Sequence, residues 1–460
     1  MNIDMLLLPL FKPYKEMLTY FVPILCINVV DVLVMLINTI MGGDFNHQGL
    51  AAIGLVVATY LASMTFCWGV LTAVLIITAN KKGEEATKSN LGLILVAGLI
   101  LALLLSIPVM FIFRNAEPIW ILLGQDPQVT QIGQTFFSGA FTIALADLGK
   151  YVILKFLVVL GKLRLAIIAN LLILPLLVLC NTLLMDGYWG LPKLGIYGLG
   201  LGTAITYWLV LIGLIVHLFY AKYFRGYLFH SHKLINYWHA IISVLKLGVP
   251  IGIMFTMEAF FFFTITMLMG NISVLALAAY QIAMQYVWVS MMFSASLAET
   301  TSILAGKAYG ATNLTGVLQV TYAVLSFSFI CLFTVALLYW FGPRLVINAE
   351  LSVTEMNDQV LVALAIKFLA AAAVYQLFDS GRLILSGALR AMFDSVYPML
   401  ICVLSFWFLG LSIGSICAFF LKWGGIGLWC GLISAVVTSV LLLYLRLQKN
   451  LHNYSWPPQQ

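Results

Sequence analysis

Charge is what this chain most lacks. Only 9% of its 460 residues are Asp, Glu, Lys or Arg, while 63% are hydrophobic. A soluble domain carries about 25% charged residues, so a water-soluble globule is excluded. Catalytic signatures are missing as well. There is no phosphate-binding loop, no HExxH and no nucleophile elbow, and nothing else suggests an enzyme. No nucleotide-binding domain fits, which excludes ATP-driven transport by this chain alone. Cys26, Cys67, Cys180, Cys331, Cys402, Cys417 and Cys430 all fall within apolar segments and show no CxxC spacing. They read as small buried hydrophobes, neither disulfide partners nor metal ligands. His47, His217, His230, His232, His239 and His452 are scattered in loops or near segment ends.

What the chain has in abundance is long apolar segments. Crossing a bilayer takes roughly 20 residues, and twelve segments qualify: 17–41, 50–78, 91–113, 135–158, 165–185, 196–221, 241–269, 277–304, 316–341, 360–388, 396–421 and 425–446. The expected fold class is therefore an all-α polytopic membrane protein. The apolar run at 5–11 is short, has no small-residue cleavage site and leads into charged residues, so the first crossing is expected to be an uncleaved anchor. The net charge of +6 is sorted by connection. Lys81, Lys82, Lys88, Lys162, Arg164, Lys222, Arg225, Lys233, Lys307 and Arg390 lie in or beside the even-numbered connections, with Arg446 and Lys449 in the tail. The others hold only Arg114, Lys193, Arg344 and Lys422. Basic loops stay in the cytoplasm, which predicts a plasma-membrane protein with both termini inside (the inner membrane in a bacterium) and no nucleic-acid partner.

The chain also repeats itself. At a shift of 227 residues, Val22-Pro23 falls on Val249-Pro250, Asp31 on Glu258, Gly43 on Gly270 and Leu50-Ala51-Ala52 on Leu277-Ala278-Ala279. At a shift of 232, Asp147 meets Asp379, Gly149 meets Gly381 and Lys150 meets Arg382. Each half has six crossings, an even number, so the halves must have parallel topology about an axis along the membrane normal. The expected halves are 1–226 and 227–460, joined by the polar segment from Ala221 to Trp238. The outer connections Arg114–Thr130 and Gly342–Asn357 are long enough for short interfacial helices.

Ionisable groups inside membrane segments are costly, and so by default suggest function. Glu258 lies about 17 residues from one end of segment 241–269 and 11 from the other, near mid-depth. It is either a site of ion exchange or a protonated core Glu that locks two helices, and it has no obvious local cation. Tyr375 precedes Asp379 by one turn, so the two can offer oxygens to a sodium ion. Arg382 follows Asp379 by one turn and can equally well neutralise it; Asp147 and Lys150 have the same spacing. Asp31 and Asn38, with Asn28 close by, form a stripe suited either to a polar cavity or to helix-to-helix hydrogen bonds. Met257, Phe260, Gln281, Met284, Gln285 and Met291 are candidate cavity-lining residues. Met adapts to varied shapes and aromatic faces attract organic cations, although ordinary packing explains most such residues.

The stretch Lys246-Leu247-Gly248-Val249-Pro250 through Glu258 and Gly270 to Leu277-Ala278-Ala279-Tyr280-Gln281-Ile282, then Gly306-Lys307-Ala308-Tyr309-Gly310-Ala311, resembles multidrug and toxic compound extrusion (MATE) transporters of the bacterial NorM-like branch. Tyr375, Asp379, Gly387, Leu389-Arg390 and Asp394 match further on. So do Pro23, Asn38-Thr39-Ile40-Met41-Gly42-Gly43 and Gly124-Gln125-Asp126-Pro127 in the first half. The resemblance implies two six-helix lobes related by pseudo-two-fold symmetry, V-shaped around a central cleft. It implies antiport of organic, mostly cationic lipophilic drugs against Na+ or H+ by a single chain acting as a monomer in the bilayer, with no other cofactor. The positions of Glu258, Tyr375 and Asp379 are then the cation site of the second lobe. Two residues depart from the pattern. Asn38 stands where the family has Asp, leaving Asp31 or Asp147 as the titratable group of the first lobe, and Arg382 is unusual. A lipid-linked oligosaccharide flippase of the same architecture is the alternative; it would favour a strongly cationic cavity, whereas the mid-depth groups here are mainly acidic.

Overall fold

In lipid an extended backbone has no partner for its N–H and C=O groups, so apolar runs of this length become helices. The computed structural model describes residues 3–43, 47–221, 223–228, 234–347 and 359–452, and among these every regular element is a helix. The order is α1 (Ile3–Gly43), α2 (His47–Gly83), α3 (Lys88–Arg114), α4 (Ala116–Leu122), α5 (Pro127–Ala140), α6 (Ile143–Leu160), α7 (Leu163–Leu171), α8 (Ile173–Asp186), α9 (Gly195–Tyr220) and the single turn α10 (Arg225–Leu228). After these come α11 (Leu234–Ile272), α12 (Val274–Gly310), α13 (Leu314–Phe341), α14 (Pro343–Ile347), α15 (Gln359–Ala391), α16 (Val396–Val403), α17 (Leu411–Ser415) and α18 (Gly425–His452). Eleven helical stretches among the described residues are long and apolar enough to cross a membrane, and the chain is a multi-pass membrane protein.

The fourth expected crossing is built differently from the rest. Residues 127–160 are broken at Phe141-Thr142 into a 14-residue and an 18-residue helix, and the second carries Asp147, Lys150 and Lys155. Its short pieces and three charges set this segment apart from the long apolar spans. Its start follows from local chemistry. Gly124 turns the chain with φ of +80°, Asp126 Oδ1 accepts from the N–H groups of Gln128 (2.8 Å) and Val129 (3.3 Å), and Pro127 needs no donor at the first helical position. The short helices expected in the outer connections are present as α4 and α14. Trp120 of α4 is buried and donates to Thr59 Oγ1 (2.9 Å). The remainder of the second connection, from 348 on, lies outside the described residues, as do residues 222 and 229–233 of the central join. Tyr223 of that join lies under Lys162, whose Nζ stands 3.8 Å from the ring centroid.

The chain divides into two compact units, one of residues 22–252 and one of residues 1–21 with 253–460. The expected boundary was at 226; the units instead divide within α1 and α11. In the first unit, α5 packs closely on α9 through small residues. A side chain at Gly139 would meet the Tyr197 carbonyl oxygen, and one at Gly200 the Phe136 carbonyl oxygen. In the second unit, Phe261, Ile265 and Met269 of α11 interleave with Tyr280 and Ala283 of α12, Phe368 and Ala372 of α15, and Trp429 and Leu432 of α18. Wide helical turns at Leu404–Gly410 follow α16. They place Phe406 in the core and let Trp407 Nε1 donate to the Met257 carbonyl (3.1 Å).

Candidate functional site

In each unit the structure gathers two acids around one cation. In the second unit Glu258 comes from α11, and Asp379 and Arg382 from successive turns of α15. The Arg382 Nη2 lies 2.5 Å from Glu258 Oε1 and 2.7 Å from Asp379 Oδ1. Its Nε donates to Asp379 Oδ1 (2.8 Å) and its Nη1 reaches Glu258 Oε2 (3.4 Å). All three side chains are buried, and the guanidinium carbon sits 5.0 Å over the Phe406 ring. The planar fork of Arg suits this bidentate role, which a Lys point charge would not fill. Glu258 therefore has a direct cation partner, although none is local in the sequence. The partner stands 124 residues away in sequence, beyond the reach of any helix-spacing rule.

The rest of α15 is fixed by hydrogen bonds. Gln376 Oε1 accepts from Ser290 Oγ and its Nε2 donates to the Leu332 carbonyl (3.3 Å), while Ser380 pairs with Ser328. Tyr375 is buried, and among the described residues its hydroxyl has no hydrogen-bond partner. It does not join Asp379 in a shared ligand set. Among the described residues no group of three or more His, Cys, Asp or Glu is arranged to hold a metal. Oxygens of Glu258 and Asp379 converge on a guanidinium, so as they stand these carboxylates are paired with a cation of the chain's own. Of the candidate cavity residues, Phe260, Gln281 and Gln285 are exposed, and Met257 and Met291 are half-buried. Met284 is instead buried in the core of its unit.

The first unit repeats the arrangement with different chemistry. Lys150 Nζ lies 3.1 Å from Asp147 Oδ1 and 3.2 Å from Asp31 Oδ1. Asp147 Oδ2 also accepts from Tyr60 OH and Trp68 Nε1, each at 3.0 Å, and the Tyr207 ring lies 4.7 Å from the ammonium. The expected stripe of Asp31 with Asn38 does not act as one group. Asn38 Oδ1 accepts from Asn181 Nδ2 (3.0 Å) and Thr203 Oγ1 (3.1 Å), a neutral buried cluster that ties α1 to α8 and α9. Tyr60, Trp68, Asn181, Thr203, Tyr207 and Phe406 went unseen in the sequence, since each reaches the site from another helix. Only the repeat register held a clue: carried across, the Glu258–Arg382 contact puts Lys150 on Asp31.

Asn38→Ala removes the acceptor of two buried donors. The expected result is a loss of about 1–3 kcal/mol of stability, seen as earlier thermal unfolding of the purified protein, with transport retained.

The protein-family model described as MatE matches residues 23–183 and 250–416. A probable multidrug resistance protein NorM of Mesorhizobium japonicum is 29% identical over 425 residues, covering 91% of this chain and 91% of that protein. Another of the same name, from Bacillus cereus, is 29% identical over 440 residues and covers 94% of each. Among solved structures, the outward-facing conformation of a multidrug resistance MATE family transporter superposes with a TM-score of 0.84 at 15% identity, covering 97% of each chain.

Proposed function

The chain belongs to the MatE family, and on that premise we propose that it is a multidrug efflux antiporter, exporting organic, mostly cationic lipophilic compounds by alternating access in exchange for protons. Two observations support efflux: the family match across both halves, and relatives named for multidrug resistance. The choice of proton over sodium rests on one observation, the bridging of Glu258 and Asp379 by Arg382. Two carboxylates against one guanidinium leave a single uncompensated negative charge in a buried site. One proton removes it without any new ligand. A sodium ion would need several oxygens, and Glu258 Oε1, Glu258 Oε2 and Asp379 Oδ1 already face the guanidinium.

The cycle follows from that charge. With the site protonated, the cluster is neutral and holds no attraction for a cationic drug. With the proton gone, the extra negative charge favours the drug. Binding must be mutually exclusive, otherwise the ion gradient does no work on the substrate. A membrane potential of 100 mV supplies about 2.3 kcal/mol per charge moved, roughly 50-fold in concentration. Basic connections stay on the cytoplasmic side, and on that reading both termini lie in the cytoplasm and the drug is taken up from that side or from the inner leaflet.

The test is ethidium efflux from proteoliposomes under separately imposed gradients. A pH gradient alone should drive efflux and a sodium gradient alone should not. Efflux driven by sodium at equal pH would overturn the choice of ion.

A further inference from the structure

We propose that Asp31, Lys150 and Asp147 form a second proton-binding site in the first unit, so that two protons are exchanged in each transport cycle. The site presupposes the proton-coupled efflux proposed for the chain, and adds to it a place and a count.

Three independent features converge on it. First, the repeat places Asp31 on Glu258, Asp147 on Asp379 and Lys150 on Arg382, and the structure assembles both sets in the same way. One cation lies between an acid from α1 or α11 and an acid one turn before it on its own helix. Second, the charge balance of the contacting groups is the same, with two carboxylates and one cation leaving one negative charge. Third, the two acids of the first unit are unequal. Asp147 is 5% exposed and its oxygens are taken up by Lys150, Tyr60 and Trp68. Asp31 has the single contact to Lys150 at 3.2 Å, and its side chain is 40% exposed. Asp147 is thus committed as an acceptor, while among the described residues Asp31 accepts only from Lys150, through Oδ1, which leaves Oδ2 to take the proton.

The charged and titratable groups facing Asp31 come from three helices. α2 contributes Tyr60, α6 contributes Asp147, Lys150 and Lys155, and α9 contributes Tyr207. Lys155 is five residues beyond Lys150, about 7.5 Å further along the helix axis, and its ammonium stands 4.7 Å over the Tyr151 ring. The bridging position belongs to Lys150 alone. Asn38, hydrogen-bonded to Asn181 and Thr203, has no acid to contribute.

The experiment counts protons. Purified protein in detergent, in a weakly buffered solution with a pH indicator, is titrated with tetraphenylphosphonium, and the protons released per bound cation are measured. Wild type should release two. Asp31→Asn should release one, as should Glu258→Gln, and the double variant none. Asp147→Asn, which leaves Asp31 paired one-to-one with Lys150, should also release one, and it keeps the test open if Asp31→Asn folds poorly. A wild-type count of one that Asp31→Asn retains and Glu258→Gln abolishes would overturn the second site and leave proton coupling standing. A wild-type count of zero would overturn both.

Discussion

Glu258→Gln is expected to abolish pH-driven drug efflux while leaving the protein folded and inserted. The amide keeps the shape of the side chain and can still accept from Arg382 through its oxygen, so packing against α15 survives. What it loses is the titratable group. With Asp379 and Arg382 alone the cluster is balanced at every working pH and trades no proton of its own, so turnover stalls although the first unit still releases its proton when the drug binds. The loss should persist at saturating substrate, because more drug does not restore the missing proton exchange, and circular dichroism and size-exclusion profiles should match wild type. Ethidium efflux at the wild-type rate from a well-inserted Glu258→Gln protein would remove Glu258 from the mechanism.

The second large effect belongs to Arg382. Arg382→Met leaves two carboxylates facing each other in a buried site, and breaking a buried ion pair by removing one partner costs about 3–5 kcal/mol. Folded yield should fall sharply, with detergent-purified protein aggregating or unfolding at lower temperature. The triple change Glu258→Gln, Asp379→Asn and Arg382→Met removes the charge imbalance along with the bridge. It should recover the yield but not transport. If Arg382→Met alone were both stable and fully active, the guanidinium would be neither a structural bridge nor part of the coupling charge.

Much of this was legible in the sequence. Apolar length alone marked out twelve crossings, eleven of which recur among the described residues as helical stretches long and apolar enough to span, because helix formation in lipid is compulsory rather than a matter of propensity. The fourth crossing was placed at 135–158, but its break at Phe141-Thr142 was not seen, since neither residue is a helix breaker. Helix spacing disclosed Asp379–Arg382 and Asp147–Lys150, which lie one turn apart. It was silent on Glu258–Arg382 and Asp31–Lys150, which depend on how α11 and α1 are rotated against α15 and α6. The internal repeat carried that information indirectly: one contact, once known, predicts the other. Asp31 and Asn38 were grouped by position along one face, yet two helical turns separate them and different helices claim each.

The most direct test of the central claim reverses the machine. Proteoliposomes containing the purified protein, with a trapped pH indicator and no imposed pH or sodium gradient, receive tetraphenylphosphonium on one side only. Proton-coupled exchange through the Glu258–Arg382–Asp379 cluster predicts a proton flux opposite to the drug, absent in Glu258→Gln and indifferent to replacing sodium by potassium. Drug movement with no proton flux, but with a countercurrent of radioactive sodium, would contradict it.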